Sequence, residues 1–458
     1  MKSLSDYLKS LQDQLGQKQV RENTEDLGEK MVSGQSGQLW NLSADKNQYD
    51  RFVSLLNGSL KTVVDVDKLN ISMLQNSEEA FRTNDCLIIV HDGSDIRKSY
   101  SKKLENIDKV RDLDGKLING YPTFNSVLVD IPNKKVKLLQ STPYSTQDEH
   151  YLSSTKLKDY EEGKLLEADR AEVERLVISE DWYNHQTIVE KHVKNIDKAI
   201  REVNPKATIV HIYDRGHDNV DLFEYHQKQD DLFVIRLKTN RNSNEIIINE
   251  KGKEVFVKLT KQKLFEGFEK QYERIGFKGK IYTNVTGVFE WTTLELQGQT
   301  YHVLRVKMYR NNGHKLFKQP MLLITNMEVN SLMTAELTFE LYMNRGKIES
   351  VFKFCKNQLG WEKFQVRKFE AIKNLIAFIY FIAGYFYEIE EDIVEHPTAQ
   401  WLAHIGNGKG KVTPYYILRG VKKIYHFLEF QQMMQQQENR IKMNEAVQLF
   451  FPSSDFST

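Results

Sequence analysis

Residues 341–356, LYMNRGKIESVFKFCK, decide how this chain is read. Within them Tyr342, Arg345, Glu349 and Lys356 follow one another at steps of three, four and seven residues. On an α-helix those steps return to nearly the same side. The spacing therefore predicts one helix face bearing a hydroxyl, a guanidinium, a carboxylate and an ammonium in a row. Such a face does not suit a core. The carboxylate can ligate a divalent cation while the two cations and the hydroxyl spread along a phosphate backbone. The plain alternative is a solvated face on which Arg345 and Glu349 form a simple i,i+4 pair.

Metal-assisted phosphate chemistry needs further carboxylates on rigid elements. Residues 85–100, DCLIIVHDGSDIRKSY, hold an apolar run at 87–90 that reads as a buried strand, leading into Asp92, with Gly93 marking its end. Residues 206–219, KATIVHIYDRGHDN, repeat the design: a β-rich run at 208–213, then Asp214, Arg215 and Gly216. Each carboxylate is expected at a strand tip. Asp95, three residues beyond Asp92, is a rival for the first position. Either aspartate alone could equally be a turn former or a helix cap.

The order Y-x2-R-x3-E-x6-K resembles the signature of bacterial DDE transposases of the insertion sequence 4 type, matched here at all four positions. Asp214-Arg215-Gly216-His217-Asp218 is similar to the D-R-x-x-D of that group, and Phe233-Val234-Ile235-Arg236 to its F-V-x-R strand. The resemblance implies that Asp92, Asp214 and Glu349 are the catalytic carboxylates and hold two Mg²⁺ or Mn²⁺ ions. It implies that Tyr342, Arg345, Lys356, Arg215 and Arg236 engage DNA. The expected reaction is metal-dependent cleavage at the ends of a mobile element, then transfer of the 3′-hydroxyl into target DNA. The implied partners are the terminal inverted repeats, target DNA and a second copy of the chain in a synaptic complex. A β-rich insertion is also implied, carrying a Trp that stacks on a flipped base in hairpin-forming relatives. Trp291 is the only Trp in that segment. Its alternative is a core or strand-pair aromatic, and Tyr309 is a second candidate.

The expected fold is α/β: a ribonuclease H-like mixed sheet flanked by helices, interrupted by the β-rich insertion before the last catalytic helix, with helical N- and C-terminal regions. Periodicity gives the elements; the resemblance implies a first core part at 81–240, the insertion at 241–335 and the last core part at 336–392, while position alone assigns a helical end-binding domain to 1–80 and a C-terminal helical region, a possible dimerisation element, to 393–458. A hairpin is expected around Pro132-Asn133, and residues 160–178 read as a solvated helix or linker.

Bulk properties bound the class without fixing it. A net charge of +1 over 458 residues is not the footprint of a simple nucleic-acid-binding domain. Positive charge is local, at 97–116 and at 404–426, where Lys409, Lys411, Arg419, Lys422 and Lys423 occur without an acid. Cys86 and Cys355 fit no metal or disulfide spacing, which points to a reducing compartment. The polar N-terminus is not a secretory signal, and the apolar run at 375–387 is too short to span a bilayer. The chain is therefore expected in the cytoplasm, associated with the nucleoid and with no membrane partner. Asp65-Val66-Asp67 and the loop at 406–413 superficially match phosphatase and phosphate-loop patterns, but the surrounding residues and spacing are wrong. No zinc spacing is visible among the histidines. Two other functions remain open: a ribonuclease H-like nuclease that cleaves without joining, and a non-catalytic DNA-binding regulator.

Overall fold

The computed structural model describes residues 3–34, 36–58, 64–130, 135–248, 253–262, 266–277, 280–391, 397–409 and 411–435. The expected turn at Pro132-Asn133 and the C-terminal segment from 436 onward lie outside them. The chain forms two compact units, one comprising Met1–Leu69 with Lys353–Thr458, the other Asn70–Phe352. The terminal regions, assigned to separate segments from sequence, thus fall in one unit.

The unit 70–352 is built on a large mixed sheet flanked by helices, which is compatible with the ribonuclease H-like expectation. Its strands are β1 (Cys86–Arg97), β2 (Asp108–Arg111), β3 (Leu117–Asp130), β4 (Lys135–Pro143), β5 (Thr208–Tyr213) and β6 (Leu232–Arg236). They are followed by β7 (Asn242–Ile248), β8 (Glu254–Lys258), β9 (Glu266–Phe277), β10 (Lys280–Leu296), β11 (Gln299–Tyr309) and β12 (Met321–Thr325). The spatial order is β2-β3-β1-β5-β6-β12-β11-β10-β9, with β4 also paired to β3. β1 runs antiparallel to β3 and parallel to β5, and β5 runs parallel to β6. The parallel pairs follow from helical crossovers. The helix His185–Val203 precedes β5, and Val220–Gln229 joins β5 to β6.

Two sequence expectations are corrected here. Gly93 does not end the first strand: β1 continues to Arg97, because its second half stays paired with β3 after β5 has ended. The segment expected as an insertion is not a separate β module either. β12 pairs antiparallel with β6, so β9–β12 extend the same sheet, and only β7 and β8 form their own two-stranded ribbon. Residues 160–178 form parts of two helices, Ser154–Glu161 and Glu167–Ser179.

The core follows the apolar periods. The helix His185–Val203 buries Ile188, Val189, His192, Val193, Ile196 and Ile200, at helical spacing. Val189 and Val193 pack with Phe124, Tyr213, Phe233 and Ile324, while Ile196 and Ile200 pack with Leu87, Ile89 and Ile209. Each such side chain stabilises the fold by about 1.5–3 kcal/mol when fully buried. Asn184 caps this helix, its side chain accepting from the Thr187 N–H at 3.0 Å.

The other unit is helical around Phe369–Glu391, whose apolar residues are buried inside it. By length and composition that helix could cross a membrane, but 89 % of its most apolar window is buried within the protein, as a core helix requires. Its polar partners are specific. The Tyr7 hydroxyl donates to the Phe381 carbonyl at 2.8 Å, and Trp361 Nε1 donates to the Ile376 carbonyl at 2.9 Å. A Cβ at Gly37 would lie 2.4 Å from the Gly360 carbonyl oxygen, so that close approach requires glycine. Asp65, set aside as a phosphatase-like decoy, caps the following helix by accepting from the Lys68 N–H at 2.8 Å.

Candidate active site

Two adjacent parallel strands bring the first two carboxylates together. The β1–β5 register pairs Val90 with Ile212. Continued two residues further, it sets Asp92 level with Asp214, on the same side of the sheet. Asp92 is 7 % exposed and lies within β1, opposite Asn125 of β3, not at a strand tip. Asp214 does end its strand. It also serves as the cap that residue type predicts: its Oδ1 accepts from the Gly216 N–H at 2.8 Å and faces His217 Nδ1 at 3.1 Å, at the start of the short turn Arg215–His217. Both contacts use Oδ1. Asp95, at odd spacing from Asp92, points to the other face, where its Oδ2 accepts from the Arg111 N–H at 3.0 Å.

The segment 341–356 is not one helix. Leu332–Met343 ends at Asn344, and Gly346–Gln358 begins a new helix. The break is a tight turn in which the Arg345 N–H reaches the Tyr342 carbonyl at 3.0 Å and the Lys347 N–H that of Asn344 at 2.9 Å. Tyr342 is consequently buried at 5 % exposure rather than displayed on a face; burial pushes its hydroxyl up, with Arg345 and Arg236, at the end of β6, pulling against it. Arg345 occupies the turn. Its guanidinium donates through one nitrogen to Asp92 Oδ2 at 2.6 Å and through the other to Glu349 Oε1 at 2.8 Å. The i,i+4 pair of the plain reading is therefore present, but the same guanidinium also spans to a strand residue 253 positions away. Its Nε is buried without a hydrogen-bond partner among the described residues.

Electrostatics set the two aspartates apart. Burial pushes the Asp92 carboxyl up to about 7. Asp214 and Glu349 push the same way, while Arg345 and the Gly93 N–H pull against them. Burial also acts upward on Asp214, but the hydrogen bond to His217, that residue's charge when protonated, the Gly216 N–H and Arg345 outweigh it and hold the carboxyl at about 2. Three carboxylates thus lie within electrostatic reach of the Arg345 guanidinium. The donor set fits hard divalent ions, which take oxygen ligands, and the Arg345 guanidinium places positive charge between Asp92 and Glu349.

The remaining expected residues are placed as follows. Arg215 is exposed beside Asp214, and Arg236 is half-buried. Lys356 lies seven residues, or about 10 Å of helix, beyond Glu349, and its ammonium pairs with Glu362 at 3.6 Å. Trp291 is 6 % exposed on β10, stacked on Phe268 with centroids 5.3 Å apart and planes at 12°. Those are the surroundings of a strand-pair aromatic, the alternative weighed from sequence. Tyr309 ends β11 and bridges to Lys315. Sequence reasoning missed His217, although it stands three residues after Asp214. Asp218, the second aspartate of the D-R-x-x-D match, pairs through its carboxylate with Arg241 at 3.0 Å and accepts from the Lys238 N–H at 2.9 Å, tying this turn to the exit of β6.

Residues 184–383 match the family model of the transposase DDE domain. The match supports a DDE transposase. It begins at the cap of the helix before β5 and takes in Asp214, Arg345 and Glu349, while Asp92 precedes it. The DDE domain belongs to polynucleotidyl transferase-type enzymes, with DNA as the partner the family suggests. No curated protein matches the chain.

Proposed function

We propose that this protein is the transposase of a bacterial insertion sequence of the insertion sequence 4 type. It would cut at the element's terminal inverted repeats and join the freed 3′-hydroxyl to target DNA. The observation that carries the reading is the Arg345 guanidinium bridging Asp92 of β1 and Glu349 of the last core helix, beside Asp214 of β5. Asp92 is preferred to Asp95 because it shares this cluster. Asp92, Asp214 and Glu349 would hold two Mg²⁺ or Mn²⁺ ions, which when bound supply activation of the attacking oxygen and stabilisation of the departing 3′-oxygen.

The chain's own residues would bind and position the DNA. Arg215 offers an exposed guanidinium next to Asp214 for a phosphate near the scissile bond. Arg236, at the end of β6 near the Tyr342 hydroxyl, would offer a further guanidinium to the DNA backbone. Lys356 would reach the backbone further along its helix, and Trp291 would serve a flipped base only by leaving its stack on Phe268. A homodimer bridging two ends, acting on nucleoid DNA in the cytoplasm, completes the proposal.

The test is cleavage and strand transfer on labelled DNA carrying the flanking element ends, with Mg²⁺ or EDTA, by wild type and Glu349→Ala. Metal-dependent nicking at the ends with joined product, absent from the variant, is the expected result. Cleavage without joining would favour a nuclease. Binding without cleavage under any metal would favour a regulator.

A further inference from the structure

Three residues before Asp214 on β5, His211 sits in a second, fully buried cluster of ligating side chains. One donor atom from each of His211, His226 and Asp231 lies within 4.8 Å of the other two. Nδ1 of His211 is taken up by His91 Nε2 at 2.9 Å, which turns its Nε2 to Asp197 Oδ1 at 3.1 Å. Nε2 of His226 meets the Tyr213 hydroxyl at 2.9 Å, whereas its Nδ1 is buried with no hydrogen-bond partner. Burial, then the neighbouring Asp197 carboxylate, push the Asp231 carboxyl up, and the cation beside it is Arg201 at 3.3 Å.

Among the described residues, this buried donor set leaves the His226 Nδ1 without a hydrogen-bond partner and sets two carboxylates side by side. Adjacent carboxylates repel, and an unsatisfied buried nitrogen costs about 1–3 kcal/mol. One cation at the centre would relieve both.

We propose that His211, His226 and Asp231, backed by Asp197, form a site for a single divalent transition ion of the zinc type, separate from the Asp92, Asp214 and Glu349 cluster. Mixed imidazole and carboxylate donors select such an ion over Mg²⁺. Tetrahedral coordination with bonds near 2.0–2.2 Å would draw the donors to about 3.3 Å apart, a closure that small side-chain rotations supply. The outer contacts also fit. Each histidine has its other ring nitrogen held, by His91 in one case and by Tyr213 in the other, as ligating histidines usually do. The ion would fasten the end of β5, the helix Val220–Gln229 and the residue that leads into β6. Through the His91–His211 bond it would also brace the residue next to Asp92. Its role is structural: it fixes the strands on which the candidate active site is built.

The experiment measures metal content and Zn²⁺ binding of the full-length protein by equilibrium dialysis and elemental analysis, with thermal unfolding followed in parallel. Wild type, His226→Gln, Asp231→Asn and the double variant Asp92→Asn/Glu349→Gln are compared. The expected result is one tightly held Zn²⁺ per chain in wild type and in the double variant, and a Zn²⁺-dependent rise in melting temperature in both. Binding should weaken by more than tenfold in His226→Gln and Asp231→Asn. Zn²⁺ binding that vanishes in the double variant, or no binding to folded wild type at all, overturns the proposal. Should the His226 and Asp231 variants fail to fold, Co²⁺ spectra of wild type and the double variant decide it. Tetrahedral bands in both support the site, and their absence from both overturns it.

Discussion

Replacing Arg345 with Gln removes the one cation shared by Asp92 and Glu349, and its cost should depend on pH. Breaking a buried ion pair costs about 3–5 kcal/mol, because a charge is left behind without its partner. The Arg345–Asp92 pair is near that limit, with side chains 20 % and 10 % exposed. The Glu349 end is 61 % exposed and contributes less than about 1 kcal/mol. Asp92 can escape the penalty by taking a proton. Its carboxyl is raised to about 7 in the folded state, so the stability it contributes is present below about 3.8 and lost as pH rises through about 7. At pH 5.5 it is already largely neutral, and losing Arg345 should cost about 1 kcal/mol; at pH 8 it is ionised, and the loss should be about 3 kcal/mol. Urea unfolding of both proteins in EDTA at the two pH values reads this directly. Adding Mn²⁺ at pH 8 should recover more stability in Arg345→Gln than in wild type, since the ion no longer competes with the guanidinium. An equal loss at both pH values, with no preferential rescue by Mn²⁺, would refute the view that Arg345 stands in for a metal charge.

Other expectations separate chemistry from folding. Glu349→Gln should change stability by less than about 1 kcal/mol, because the carboxylate is largely solvated, yet abolish strand cleavage in the labelled-end assay. Asp214→Asn should also abolish cleavage while costing about 1–2 kcal/mol through loss of the charge-assisted contact with His217, since an Asn amide oxygen can still accept from the Gly216 N–H. In wild type the contribution of Asp214 is present above about 3.8 and lost as pH falls through about 2, opposite in sense to Asp92, which acid titration of the two single variants would reveal. Trp291→Ala should destabilise by about 3 kcal/mol in thermal unfolding through loss of a buried, stacked ring. Arg215→Ala should lower the slope of log K against log salt for end binding by about 1.

Much of the candidate cluster is legible in the sequence because its residues break local rules. Asp92 and Asp214 interrupt apolar runs that only buried strands explain, and Glu349 sits on a segment whose charges repeat at helical spacing. What stayed hidden is set by partners distant in sequence. Nothing local to Gly93 says that β1 will keep β3 after losing β5, so the strand seemed to stop early. The turn at Asn344 is invisible to a spacing argument, since steps of three and four survive a tightened turn. That turn nonetheless buries Tyr342 and aims Arg345 at β1. The strands of residues 242–325 were mostly recognisable, but which edge they would join was not, because pairing of β12 with β6 is non-local. The histidine cluster was missed for the same reason. His211, His226 and Asp231 have no metal-binding spacing along the chain, and meet only once β5, a helix and the start of β6 are packed.

The junction of β12 with β6 bears on how this chain can be cut and rejoined. Trimming residues 242–325 to leave a minimal core would not remove an appendage. It would strip the ladder partner from β6, leaving bare N–H and C=O groups beside Arg236, which pairs with Leu323, and such an edge invites aggregation. The β7–β8 ribbon shares no ladder with the large sheet, so a tag, reporter or shortened loop placed there should leave the platform beneath the carboxylates whole.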